Sequence, residues 1–398
     1  MTMTDKQKEI RGKILNELYL RGPISRKDIA HNTGITPATT TAVTGELISE
    51  GVIEANSLTD NDSKSKNRAG RKKVTLSITN NHSYYIGIEL SRHFLTLCLI
   101  NNAGEVITTQ HHEVEILNYS NAEAINYLLS VVNNCLANYQ NINIEAVGIA
   151  LPGHFDKENQ CIASSAKWQK FDLSRLIKES PLPLFLENNV HCMSLYEHLI
   201  CTTNKGENFV FFHAVQGIFS SSIYNESLYG VNNFSVGEIG HTIVYPHGEQ
   251  CECGRFGCLQ NYLGGFNIIK KAQHSYHQNQ HSILKKLVAD SADITLSIIA
   301  EAYRLGDTAI TQIIEDAINA VVITLNNLSM LIDTSKIYLH GPLFNEMITH
   351  QILTEYLSYK NLYHGLPEID FDIIPYDVTN GARGAATLAL FHALIWSH

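Results

Sequence analysis

Apolar residues recur at helical spacing from Lys6 to Leu20, with Ile10, Ile14, Leu15 and Leu18 on one face, and the pattern stops at Gly22-Pro23. Ser25 is a good N-cap for a short second helix with Ile29 and Ala30 on its apolar side, and Asp28 stands at the third position of a capping box. His31-Asn32-Thr33-Gly34 reads as a tight turn. Thr36 then caps a third helix that has Pro37 at its first position and Ala42, Val43, Leu47 and Ile48 as its apolar stripe. Gly51-Val52-Ile53 and Lys73 to Leu76 read as the two arms of a hairpin. Three short helices and a hairpin describe a winged helix-turn-helix over residues 1–76.

From Ser83 the pattern becomes that of alternating strands and helices. Tyr84 to Leu90 and Phe94 to Ile100 read as strands, Asn101-Asn102-Ala103-Gly104 as a turn, and Glu105-Val106-Ile107 as the start of a third strand. A helix is expected at about residues 121–139, then a strand from Glu145 to Leu151 ending in Pro152-Gly153. Three antiparallel strands, a helix and a further strand are the opening of an actin-like, hexokinase-type α/β domain. Apolar, alanine-rich sequence from Gly381 to Trp396 reads as a last helix that returns to the first lobe. The expected second domain is thus residues 83–398, with lobe 1 at about 83–197 plus 381–396 and lobe 2 at about 198–380.

Charge sharpens this division. The chain of 398 residues has a net charge of −10, but residues 1–76 carry +4 and the remainder −14. A basic head on an acidic body implies that only the head meets phosphate. The third helix is rich in small hydroxyl side chains, which suits close approach to a DNA groove. Candidate DNA contacts are Ser25, Arg26, Thr36, Pro37, Thr39, Thr40, Thr41 and Thr44, with Arg71 and Lys72 in the polar stretch between the hairpin arms. That stretch reads either as an arm for an A/T-rich minor groove or as a loop touching phosphates only. Helix-turn-helix units also serve as protein-interaction modules, which is the competing reading of the head. One such unit reads one half-site, so operator DNA implies a homodimer or higher homo-oligomer. With no secretory leader and no apolar run near 18 residues, the expected setting is the cytoplasm, with no membrane partner.

The eight cysteines then read as thiols or metal ligands. Five are scattered, whereas Cys251, Cys253 and Cys258 cluster just after His241. Three thiolates and an imidazole make a closed tetrahedral zinc set with no position for water, so one structural Zn2+ per chain is expected.

The winged helix, the Leu151-Pro152-Gly153 turn, the strand end Leu186-Glu187-Asn188-Asn189, the run Gly237-Glu238-Ile239-Gly240-His241 and the Cys-x-Cys-Gly-x-x-Gly-Cys loop together resemble the ROK family of repressors, open reading frames and kinases, in its repressor branch. The resemblance implies zinc on His241, Cys251, Cys253 and Cys258. It implies a sugar or sugar-phosphate effector held by Gly153, Glu187, Asn188, Asn189, Glu238, His241 and Gln260, although Glu187 equally reads as a brace of its loop. It also exposes departures from the family's kinases. The phosphate loop D-x-G-G-T is replaced by Glu89-Leu90-Ser91-Arg92-His93, and G-T-G-x-G by Val215-Gln216-Gly217-Ile218-Phe219, where Phe219 would crowd a nucleotide. The catalytic Asp is replaced by Asn189, a common Glu by Gln260, and the Gly-Gly loop by His340-Gly341-Pro342. Without glycines for phosphate or a carboxylate base, no kinase activity is expected. The expected function is a DNA-binding repressor of carbohydrate genes that senses a sugar. The alternatives are control by a docked sugar-transport protein and, behind that, an active sugar kinase.

Overall fold

A computed structural model describes residues 3–57, 74–163, 168, 171–201, 206–359 and 369–396. It divides into two units, Met1–Gly206 with Val378–His398, and Glu207–Asp377.

The first unit begins with α1 (Asp5–Arg21), α2 (Arg26–Thr33) and α3 (Pro37–Ser49), followed by an antiparallel ribbon of β1 (Ile53–Ser57) and β2 (Val74–Ile78). Side-chain caps set each helix start. Thr4 and Gln7 close a capping box on α1, Ser25 Oγ accepts from Asp28 N–H at 3.3 Å, and Thr36 Oγ1 accepts from Thr39 N–H at 3.3 Å. Gly34 ends α2 at φ 69°, a left-handed conformation that costs glycine little.

A five-stranded sheet follows in the order β5-β4-β3-β6-β9. Its strands are β3 (Tyr84–Leu90), β4 (Phe94–Asn101), β5 (Val106–Glu113), β6 (Ile144–Leu151) and β9 (Leu184–Asn188). The β3-β4-β5 meander is antiparallel, and β6 and β9 run parallel to β3. One face packs on α4 (Asn121–Asn138) and α5 (Ser174–Glu179) through Ile86, Leu97, Ile125, Leu128 and Leu176. A small ribbon of β7 (His154–Asp156) and β8 (Cys161–Ala163) follows β6. The other face packs on α6 (Asn189–Leu199) and the C-terminal helix α14 (Asn380–Leu390).

The contact of α14 with the sheet is made at backbone distance. Gly87 and Gly148 are paired across β3 and β6. A Cβ on Gly87 would lie 2.1 Å from Ala382 O, and one on Gly148 would lie 1.9 Å from Ala385 O. On its far side, a Cβ on Gly384 would lie 2.5 Å from the backbone of Cys192 in α6. The alanines and glycines of α14 thus serve as spacers between two layers rather than as a weak apolar stripe.

The head shares this core. Ile14, Leu15, Leu18 and Tyr19 of α1 belong to the same buried cluster as Tyr85, Cys98, Ala146, Leu195, Ala386 and Leu394. Gly12 lies against the chain end, where a Cβ would sit 2.6 Å from Ile395 O. Tyr19 donates its hydroxyl to the carbonyl of Asn102. The buried Asn102 amide accepts from His82 N–H at 2.9 Å and donates to Thr79 O at 2.5 Å, which pins the connection between head and sheet. The head is thus welded into the first lobe rather than folded around a core of its own. Nor does the last helix run unbroken to Trp396: α14 ends at Leu390, and Phe391–Ile395 forms a π-helical turn.

The second unit repeats the sheet topology, with the order β12-β11-β10-β13-β14. The strands are β10 (Phe209–Ala214), β11 (Ile218–Tyr224), β12 (Ser227–Leu228), β13 (Lys336–His340) and β14 (Phe371–Ile374). Its helices are α7 (Gln260–Leu263), α8 (Gly265–Gln278), α9 (Leu284–Leu287), α10 (Leu296–Arg304), α11 (Thr308–Leu331), α12 (Pro342–Asn345) and α13 (Met347–Tyr359). Among the described residues, α11 is the one helix long and apolar enough to span a bilayer. Its Ile310, Ile314, Ile318, Val321 and Leu325 instead pack in one core with Val210, Phe212, Ile337 and Leu339.

A shared core has a measurable consequence. Leu15→Ala removes a fully buried side chain from it and should cost about 2–5 kcal/mol. Chemical denaturation of wild type and variant, followed by Trp fluorescence for the lobe and by DNA binding for the head, should give coincident transitions. A head that melts separately would refute the weld.

Candidate metal, effector and nucleic-acid sites

The loop from Ile239 to Cys258 brings together His241, Cys251, Cys253 and Cys258, whose ligand atoms all lie within 4.8 Å of one another. Two left-handed glycines turn the backbone, Gly254 at φ 87° and Gly257 at φ 71°. At Gly257 a Cβ would fall 1.6 Å from Tyr245 O, so no other residue fits. Cys253 Sγ and Cys258 Sγ are 3.7 Å apart, and Cys251 Sγ is 3.6 Å from His241 Nδ1. Tetrahedral bonds of about 2.3 Å to sulfur and about 2.05 Å to nitrogen generate edges of about 3.75 Å and about 3.55 Å respectively. The donors therefore fit one ion, with Nδ1 as the imidazole ligand. The backbone N–H and guanidinium of Arg255 hold the exposed Cys253 thiol down at about 6, while burial pushes Cys258 up to about 12.

The effector candidates of the first unit gather at the C-terminal edge of its parallel strands, where open α/β sheets bind ligands. Gly153 follows β6; Glu187 and Asn188 end β9, in register with Ala150 and Leu151; Asn189 starts α6. Asn188 is buried, and its Oδ1 caps α6 by accepting from Val190 N–H at 2.8 Å and His191 N–H at 3.3 Å. Glu187 Oε1 accepts from Asn188 N–H at 2.8 Å and from His191 Nδ1 at 3.0 Å. Despite burial, these partners keep Glu187 below the usual carboxylate range. Asn189 Nδ2 lies 3.4 Å from Glu89 Oε1. Glu89 is buried at the end of β3 against Gly381, where a Cβ would meet its carboxyl carbon at 2.1 Å. Burial raises Glu89 to about 7, against the opposing pull of the Asn189 amide and the Gly381 N–H. Glu89 was not a sequence candidate for this edge, because it meets Asn189 across 100 residues and only in the fold; the buried His154 and His191 stand beside the candidates Gly153 and Asn189 but belong to no motif read from the sequence.

In the second unit Glu238 is exposed and precedes the turn that carries His241. Gln260 does not stand as a free sugar contact. Its Oε1 accepts from Ile218 N–H at 2.9 Å and its Nε2 donates to Gln216 O at 2.8 Å, so the amide braces the 215–218 loop at both ends. A glutamate could not donate the second bond. Phe219 is buried against Gly237, where a Cβ would lie 2.4 Å from the ring, so it belongs to the packing of this unit. His340 is buried, with its Nδ1 2.9 Å from that of His213.

On the head, the exposed face of α3 is formed by Pro37, Ala38, Thr41, Ala42, Gly45 and Glu46, with Thr36 exposed at its cap. Thr39 is half-buried. Thr40 and Thr44 are fully buried, against the expectation that they face DNA. Thr44 Oγ1 donates to Thr40 O at 2.7 Å and accepts from Arg26 Nε at 2.8 Å. Ser25 is buried as the cap of α2. The error was one of helical phase: Ala42, assigned to the apolar stripe, points outward, while Thr40 and Thr44 turn in, Thr44 bonding the helix backbone. Arg71 and Lys72 lie outside the described residues.

Comparison with known proteins agrees with both parts of the chain. The ROK family model matches residues 85–391, and a winged helix-turn-helix DNA-binding model matches residues 7–54. The N-acetylglucosamine repressor of Escherichia coli O6:H1 is 26% identical over 299 residues, covering 74% of this chain and 70% of the relative. The xylose repressor of Bacillus spizizenii is 24% identical over 368 residues, covering 89% of each. Among solved structures, a ROK family transcriptional regulator described as a homologue of the E. coli MLC protein superposes with a TM-score of 0.77 at 21% identity, covering 98% of this chain and 97% of the other.

The buried Glu89 carries a pH signature. Its carboxyl binds a proton more tightly in the fold, at about 7, than at its ordinary 4.5. Its contribution to stability is therefore full below pH about 4.5 and is lost as pH rises through about 7. Glu89→Gln should flatten that decline, gaining up to about 3 kcal/mol over wild type at pH 8. Denaturant unfolding across pH 4–8 is the measurement, and parallel curves for the two proteins would contradict it.

Proposed function

Since this chain belongs to the ROK family and carries a winged helix-turn-helix ahead of the family domain, we propose that it is a DNA-binding transcriptional repressor of carbohydrate uptake or catabolism genes, controlled by a sugar or sugar phosphate that it does not phosphorylate. The observation that carries the reading is the exposed face of α3. Ala38, Thr41, Ala42 and Gly45 present small groups to solvent, and a Cβ at Gly45 would meet nothing within 4 Å. Such a face lets a helix backbone sit close to base edges, with threonine available to phosphate or a thymine methyl. Thr36, Pro37, Thr39 and Thr41 are the contacts retained for the described part of the head, and Arg71 and Lys72 add basic contacts from the wing. Two copies of the chain read two operator half-sites.

The sugar reading is supported by the names of the relatives, which are repressors for N-acetylglucosamine and xylose. It is also supported by acceptors and amides at the strand ends of the first unit and at Glu238. Phosphoryl transfer is disfavoured by two local features. The turn Glu89 to His93 has no glycine with which to cradle phosphate. The amide of Asn189, bonded to Glu89, cannot serve as a base.

His241, Cys251, Cys253 and Cys258 would hold one structural zinc. The metal would supply a cross-link with no open coordination position, fixing the loop that bears Glu238. Thiolate ligands suit the reducing cytoplasm in which such a regulator acts.

Two experiments test this reading. Operator sequences selected from random DNA should bind wild type and lose affinity by about tenfold or more with Ala42→Glu, because a carboxylate on the exposed helix face repels phosphate; thermal stability should be unchanged. Equal binding by the variant would remove α3 from the DNA. Metal analysis should find one zinc per chain, and Cys253→Ser should release it and lower the melting temperature, since metal binding is linked to folding. Metal-free wild type with undiminished stability would refute the structural zinc.

A further inference from the structure

Three buried or half-buried polar groups at the edge of the first sheet form one unit. Glu187 Oε1 is held from two sides, by Asn188 N–H at 2.8 Å and His191 Nδ1 at 3.0 Å. The His191 side chain is only 2% exposed, whereas Glu187 is 22% exposed. The buried ring of His154, next to Gly153, meets the ring of His191 edge-on at a centroid distance of 6.1 Å. One carboxylate oxygen is thus fixed by two donors, while Oε2 has no hydrogen bond among the described residues and the side chain keeps part of its surface accessible.

We propose that Glu187 is the acceptor for a hydroxyl of the effector and that His191 is its positioning residue, touching Glu187 but not the sugar. The inference rests on the sugar reading above and adds which side chain aims the acceptor. Free carboxylates rotate and stay hydrated. One whose first oxygen is locked by a buried imidazole and a backbone amide is already oriented for a neutral O–H donor and loses little freedom on binding. Two flanking imidazoles and the N-terminal end of α6 make the surroundings unsuited to an ammonium group or a metal cation. The neutral, hydroxyl-rich class of ligand fits the geometry best. The spacing has a local origin: Glu187 and His191 are four residues apart, so the first turn of α6 returns the imidazole to the strand end. Asn188 caps that same turn and so fixes the angle at which the imidazole arrives.

The positioning role separates from simple packing through the choice of replacement. The amide N–H of asparagine occupies nearly the same place as Nδ1–H of histidine, whereas phenylalanine keeps the ring volume without the donor. Calorimetric titration of the full-length protein with N-acetylglucosamine, xylose, glucose and glucose 6-phosphate identifies which probe binds wild type. For that probe, Glu187→Gln and His191→Phe should each weaken binding by about tenfold. His191→Asn should remain within about threefold of wild type. The double variant Glu187→Gln/His191→Phe should be no weaker than either single one, because the two side chains act as one acceptor. His191→Phe binding like wild type, or losses that multiply in the double variant, would overturn the positioning role while leaving the sugar reading intact. A wild-type protein that binds none of the four probes would overturn the sugar reading and this inference with it. Thermal unfolding of each variant checks that the fold is retained, and if His191→Phe does not fold, the comparison of His191→Asn with His191→Leu carries the same test.

Discussion

The approach of α14 to the paired glycines of β3 and β6 is the constraint on which the first unit depends. At Gly87 and Gly148 there is no room even for a methyl group, because the carbonyls of Ala382 and Ala385 occupy the place of Cβ. The helix can therefore sit at only one height and one rotation. Its opposite side meets α6 at Gly384 just as closely, so strand, helix and helix are stacked backbone to backbone. Dispersion and burial hold such a stack, but the specificity comes from exclusion, since larger residues at these positions would separate the layers. The π-helical turn after Leu390 then brings Ile395 against Gly12 of α1. One helix of small residues thus determines where the sheet, α6 and the DNA-binding head stand.

Side-chain amides provide a second kind of order. Asn102 joins the head-to-sheet connection, Asn188 caps α6, and Gln260 ties the 215–218 loop. In Asn102 and Gln260 the structure uses an acceptor and a donor on one planar group, which a carboxylate does not offer at neutral pH. The amides at Asn189 and Gln260 therefore serve their own surroundings in the fold. Gln260 gains a bond to Gln216 O, and Asn189 gains a donor directed at a buried glutamate. An aspartate at 189 would instead place two carboxylates together in a site that already raises Glu89. The local electrostatics thus favour an amide at 189, which makes it part of the fold.

Much of this was legible in the chain because its signals are local. The caps at Ser25 and Thr36, the strands from Tyr84 to Leu90 and Phe94 to Ile100, and the Cys-rich loop depend on neighbours a few residues away. The phase of α3 was misread because Thr, Ala and Val differ little in polarity, so the buried face is chosen by the partners on α1 and α2. The role of Gln260 was invisible because its two bonds reach backbone 42 and 44 residues distant. The weld between head and lobe was likewise hidden. Ile14, Leu15 and Leu18 announce an apolar face, but nothing in that spacing tells whether the face is covered by the head alone or by Tyr85 and Leu394 as well. Nor did the repeated sheet order of the two units leave a trace, because topology is preserved by the pattern of strands and not by particular residues.

The weld changes what control of DNA binding must mean in this chain. A head on a loose tether would feel an effector only through the average separation of two heads. Here α6 begins at Asn188-Asn189, packs on α14 at backbone distance, and α14 leads through the π-helical turn to α1. Backbones in contact contain no flexible side chain to absorb a displacement, so a shift of α6 must be taken up by α14 or by loss of the contact at Gly384. The first alternative carries the shift to α1 and to the helix it supports. Under the proposed sugar control, effector and operator would compete through one packed stack, with a coupling energy typically about 1–3 kcal/mol that acts equally in both directions. The same close packing that makes the head inseparable from the lobe therefore provides the shortest path by which the lobe can be read at the DNA.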